Sequence, residues 1–112
     1  MIHKRALVKR TDQQAAQAFK ALGEPRRVEL MGLLRAGPRA VGELAEAAGV
    51  TQQAVSQHLA VLREAGLVEA RREGTRALYS IRPEGFAPVS AFVESFWSAR
   101  LLALKDAIEK KR

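Results

Sequence analysis

The chain has 112 residues, with 19 lysines and arginines against 12 aspartates and glutamates for a formal charge of +7, and no cysteine. That length holds one compact core and not two. The missing thiols exclude disulfides, thiolate metal sites and thiol redox switches, and there is no run of 18 apolar residues to span a bilayer. A balance this basic points to a polyanionic partner, either nucleic acid or an anionic membrane surface. The segment from Met1 to Arg10 is basic but lacks the apolar stretch of a secretory signal, so the expectation is a single domain over 1–112 in the cytoplasm, away from any membrane.

The first element expected is a helix over 11–22, where Ala15, Ala18, Phe19 and Leu22 recur at helical spacing and Thr11 or Asp12 is available as N-cap. Gly23-Glu24-Pro25 breaks it. Pro25 then suits the first position of a second helix carrying Val28, Leu30, Met31, Leu33 and Leu34, closed by Gly37-Pro38. A short helix over 41–48 turns Leu44 and Ala45 inward and ends at Gly49, and another helix runs from Gln52 to about Ala65. Beyond Gly66 the apolar period shortens to about two. Leu67–Arg71 and Ala77–Ile81 read as paired strands around a basic turn, Arg72-Glu73-Gly74-Thr75-Arg76. After Pro83-Glu84-Gly85 a long helix is expected over 86–110, with Val89, Phe92, Val93, Phe96, Trp97, Leu101, Leu104 and Ile108 along its apolar side. The fold class is therefore mainly α with a small β-hairpin.

Residues 41–65 have the spacing of a helix-turn-helix. Ala45 lets two helices cross closely, Gly49 tolerates positive φ in the turn, and Val55 fills the crossing. Along the second of these helices Val55, Leu59 and Leu62 form an inward row, which leaves Thr51, Gln52, Gln53, Ser56 and Gln57 at the N-terminal end of the other face, with Arg63 further on. Amides pair bidentately with adenine edges and hydroxyls address either base type, and base contacts come from this end of a recognition helix. Such a face is also compatible with plain solvation. Arg71, Arg72 and Arg76, with Thr75 and Gly74 between them, make 67–82 a candidate wing whose arginines suit phosphates or a narrow minor groove, with Glu73 diluting the charge. Lys4, Arg5, Lys9 and Arg10 are candidates for further phosphate contacts.

With these parts in place, the chain resembles the ArsR family of bacterial winged-helix repressors over nearly its whole length. The resemblance is carried by Phe19-Lys20-Ala21-Leu22-Gly23-Glu24-Pro25-Arg26-Arg27-Val28-Glu29-Leu30-Met31, with Arg27 at the family's characteristic arginine, by Gly42-Glu43-Leu44-Ala45, and by the stretch from Ser56 to Val68 that includes His58. It implies a winged helix-turn-helix in which first and last helices (11–22 and 86–110) pair across a two-fold axis, with Phe19 joining the last helix's apolar residues in the interface. It also implies double-stranded DNA as partner. Two recognition helices so related read an inverted repeat with half-site centres ~34–36 Å apart. Arg27 and His58 join the DNA-facing set by the same resemblance, His58 as a packing or phosphate-contacting residue.

The resemblance stops at the sensing sites. Metal and arsenic sensors of the family use cysteines ahead of the recognition helix, or carboxylate and histidine ligands on the last helix. Here 41–48 offers only Glu43 and Glu46, the last helix carries Glu94, Asp106 and Glu109 without histidine, and the two histidines are His3 and His58. No metal and no cofactor are therefore expected. The run around Phe96, Trp97, Arg100, Leu101, Leu104 and Lys105 resembles a cysteine-free subgroup. The expectation is a homodimeric repressor. A repressor responsive to a ligand or ion held between subunits, and an RNA-binding or protein-adaptor winged helix, stay open as alternatives, and the residues name no small-molecule effector. Nothing matches a catalytic constellation, so an enzyme is not expected.

Overall fold

The structure is a computed structural model that describes residues 9–110; Lys4 and Arg5, read above as phosphate contacts, lie outside them. Helix α1 (Arg10–Leu22) buries Ala15, Ala18 and Ala21, a row of small side chains at three-residue steps that lets neighbouring helices approach closely. It begins earlier than expected, after Lys9, with no side-chain cap. Thr11 and Asp12 are thus not its N-cap; they lie inside the first turn, where the charge of Asp12 complements the helix dipole.

Helix α2 (Pro25–Leu34) starts at Pro25 because the Glu24 carboxylate accepts the backbone N–H groups of Arg26 (2.6 Å) and Arg27 (3.2 Å). Leu30, Met31 and Leu34 are buried, while Val28 is 51% exposed. Two positions before Leu30, Val28 sits on the far side of a helix that turns 100° per residue. A two-residue strand β1 (Arg39–Ala40), which no periodicity announces, leads directly into α3 (Val41–Ala48). Gly49, at φ 69°, closes α3, and α4 (Gln52–Glu64) follows with Val55, Leu59 and Leu62 fully buried.

Strands β2 (Val68–Glu73) and β3 (Arg76–Ile81) form the hairpin, and β1 adds antiparallel to β3, giving the order β1-β3-β2. The pairing continues to Arg72↔Ala77 and Glu73↔Arg76. The expected five-residue turn is therefore corrected to two residues, Gly74 and Thr75. Gly74 has φ 65°, and among the described residues no non-glycine has positive φ; left-handed backbone at the first turn position only is the pattern of a type II′ turn, whose twist suits a hairpin.

A 3-10 turn at Pro83–Phe86 precedes α5 (Ala87–Lys110), one residue later than expected. Gly85 packs so closely on the end of α4 that a Cβ there would lie 1.8 Å from the Gly66 carbonyl oxygen. Arg82 reinforces this junction, donating its backbone N–H to Leu67 O (2.9 Å) and its guanidinium to Gly66 O (3.3 Å). The start of α5 is thereby fixed to the end of α4. Leu30, Leu34, Leu44, Val55, Leu59, Leu62, Leu67 and Val68 form one core shared by α2, α3, α4 and the wing, each side chain stabilising the fold by roughly 1.5–3 kcal/mol on burial.

Candidate nucleic-acid interface

Thr51 caps α4, its Oγ1 accepting the backbone N–H of Ala54 at 3.1 Å. Burying Val55, Leu59 and Leu62 turns the opposite side of the helix outward, and Thr51, Gln52, Gln53, Ser56, Gln57 and Arg63 are all exposed. They do not stand alike. The Gln52 amide lies over Gly42 of α3, where an added Cβ would come 3.4 Å from its Nε2. Gln52 is thus turned toward the α3–α4 crossing, whereas Gln53, Ser56 and Gln57 continue along the open face.

His58 and Arg27 meet behind that face. The Arg27 guanidinium donates to the carbonyls of Ala21 and Lys20 at the C-terminus of α1, and its Nη1 lies 3.4 Å from Nδ1 of half-buried His58. A cation at a helix C-terminus satisfies orphan carbonyls and complements the dipole. The geometry makes Arg27 a strut joining α1, α2 and α4.

The three wing arginines also separate. Arg71 pairs with Glu73 on the same strand face (3.4 Å), and Arg76 pairs with Glu43 of α3 (2.7 Å). Among the described residues Arg72 has no ion-pair partner, and it emerges with Thr75 on the exposed end of the hairpin. Glu43, which the sequence offered as part of the motif Gly42-Glu43-Leu44-Ala45 and as a metal-ligand candidate, has a contact to the wing that neither reading gave it. Its carboxylate also accepts the Ala40 backbone N–H at 2.8 Å. This hydrogen bond, chiefly, holds its pKa below the ordinary value, with Arg76 and Arg39 lowering it further and desolvation opposing. The spacing of a capping-box glutamate, three residues after the N-cap, was visible, but Ala40 in place of serine or threonine hid it.

On the other side of the molecule, Phe19 of α1 meets Phe92 of α5 edge-on at 5.7 Å between ring centroids, and Phe92 meets Phe96 at 4.8 Å. Val89, Phe92 and Val93 are already half-buried within the chain. Phe96, Trp97, Leu101, Leu104 and Ile108 remain more than half exposed, as does Leu102, which the sequence reading left out. No helix of the described residues is long and apolar enough to cross a membrane.

Comparison with known proteins places this arrangement. Residues 24–70 match the family model described as bacterial regulatory protein, arsR family. The HTH-type transcriptional regulator Rv2034 of Mycobacterium tuberculosis is 39% identical over 95 residues, covering 85% of this chain and 89% of that protein. The HTH-type transcriptional regulator YgaV of Escherichia coli is 35% identical over 86 residues, covering 76% and 87%. The solution structure of the homodimeric winged helix-turn-helix DNA-binding domain Mb0332 of Mycobacterium bovis superposes with a TM-score of 0.64 at 35% identity, covering 100% of this chain and 89% of that one. Sequence, hairpin and helix order agree, and the chain belongs to the arsR family of bacterial regulatory proteins as a winged helix-turn-helix transcriptional regulator.

Proposed function

We propose that this regulator is a homodimeric repressor that binds an inverted-repeat operator and acts by excluding polymerase, with no catalytic step. The observation that carries the reading is the exposed polar row of Gln53, Ser56 and Gln57 on a helix whose other side is locked by Val55, Leu59 and Leu62. Beside it stands a wing whose Arg72 has no ion-pair partner among the described residues. Amides and a hydroxyl carried on a rigid helix suit major-groove base edges, and an arginine suits the backbone or minor groove. The homodimer draws support from the exposed apolar residues of α5 and from the homodimeric relative in Mycobacterium bovis. A two-fold axis through α1 and α5 would place two recognition helices on half-sites about one helical turn apart.

A second reading, regulation by a small molecule, is favoured by a cleft of about 550 Å³ between α1, α2 and α4, lined by Gln17, Lys20, Arg27, Val61 and Glu64. It lies within one subunit and adjoins the back of the recognition helix.

Selection of bound duplexes from a random pool tests the main reading, and an inverted repeat whose binding is unaffected by chelator or zinc is the expected result. On that site Gln53→Ala or Ser56→Ala should each lose about 1–3 kcal/mol of discrimination between cognate and scrambled sequence. Equal losses on both duplexes would remove the base-reading role, and preference for RNA would favour an RNA-binding module.

A further inference from the structure

Within the DNA-binding reading just given, we infer that Glu43 is the positioning residue of the wing: a latch from α3 that holds Arg76 and so sets the hairpin tip relative to the recognition helix. One carboxylate oxygen, Oε1, receives both the Ala40 N–H (2.8 Å) and the Arg76 guanidinium (2.7 Å), from residues 33 apart in the case of Arg76. Both partners belong to the small sheet. Ala40 pairs with Leu78, and Arg76 lies two residues nearer the tip on the same face of β3. Strand side chains alternate, so Leu78 and Arg76 point to one side, and that is where the first turn of α3 sits.

The latch leads straight to the recognition helix. Glu43 stands between Gly42, over which Gln52 lies, and Leu44, which is fully buried in the shared core. Among the described residues this is the one side-chain ion pair or hydrogen bond joining the wing strands to α3 or α4. Without it the outer half of the hairpin, Arg71 to Arg76, is held by β2–β3 pairing alone, since β1 reaches β3 only at Leu78 and Tyr79.

The arginines at the tip then divide their work. Arg76, tied to Glu43, orients the hairpin; Arg72, on the other face beside Ala77 and without an ion-pair partner among the described residues, is left to meet phosphate or enter the minor groove. The lowered pKa of Glu43 agrees with an ionised carboxylate at this junction.

The test uses the full chain and its selected duplex, with variants E43Q, R76Q, R76K, R72Q and the double variant E43Q/R76Q. In free protein, backbone order parameters at Gly74, Thr75 and Arg76 should fall in E43Q and in R76Q, fall no further in the double variant, and recover in R76K. On the duplex, E43Q and R76Q should each weaken binding about threefold, the scale of an exposed ion pair, with the double variant no weaker than either. Their salt dependence should match that of the wild type, whereas R72Q should lower the slope by about 0.9, one phosphate contact. A slope in R76Q that falls as far as in R72Q would make Arg76 a phosphate ligand and overturn the latch. So would wing amides in E43Q as ordered as in the wild type. If the wild type bound no duplex, the DNA-binding reading would fall, and the order parameters would still decide whether Glu43 holds the wing.

Discussion

Single residues fix the junctions on which this interface depends, and Gly85 shows it most sharply. The 3-10 turn lies on the end of α4 with no room for a side chain, because any Cβ at Gly85 would overlap the Gly66 carbonyl. A backbone atom cannot swing aside as a flexible side chain can. Gly85→Ala should therefore destabilise the protein by about 3 kcal/mol, the upper part of the range for overpacking, seen as a lower urea midpoint. At Gly49 and Gly74 the requirement is instead conformational, since both adopt left-handed backbone in turns that place the recognition helix and the wing tip. The pattern of the recognition helix was legible residue by residue: Val55, Leu59 and Leu62 recur at helical steps and are buried. The intramolecular partners of Arg27 and Arg76 were not, because Ala21 and His58 for one and Glu43 for the other come together only through packing of separate elements.

At the scale of elements, α4 is set by its cap at one end and by Gly66 and Arg82 at the other. Thr51→Ala removes the acceptor for the Ala54 N–H and should lower stability by about 1 kcal/mol in thermal or urea unfolding, with the first turn of α4 exchanging its amides faster. The first turn of α3 depends on an ionised Glu43 in the same way. Since its folded pKa lies below the ordinary 4.5, its contribution is complete above that value and is lost as the pH falls through the lowered one. Amide exchange at Ala40 followed across acid pH should show that loss, and E43Q should remove the pH dependence. Helix positions and their apolar faces were readable because a 3.6-residue period is a local property. Strand β1 was not, since two residues carry no period and Arg39 and Ala40 become a strand only because β3 presents a free edge.

For the whole molecule, α5 decides how two DNA-reading units would be related. Its first turns are anchored on the core through Val89 and on α1 through the Phe19–Phe92 contact, while Phe96, Trp97, Leu101, Leu104 and Ile108 stay exposed. An apolar row of this size is unusual on a surface that faces only water. Replacing Leu101 and Leu104 together with glutamate should leave the fold intact, because neither side chain lies in the chain's own core. The same change should shift the sedimentation coefficient to that of a monomer and weaken binding to the inverted repeat far more than to a half-site.

Local periodicity, turn chemistry and motif were enough to place the helices, the hairpin and the inward row of α4 and to carry the resemblance to a regulator family. Composition alone excludes the cysteine-based sensing sites. Which charges are bound, and to what, depends on how separate elements pack together. Three arginines that look equivalent along the hairpin become one tied to Glu43, one paired along its own strand and one left open. Ion pairing between distant residues depends on a few ångströms of approach, and that distance is set by how the wing packs on α3, which no stretch of sequence contains.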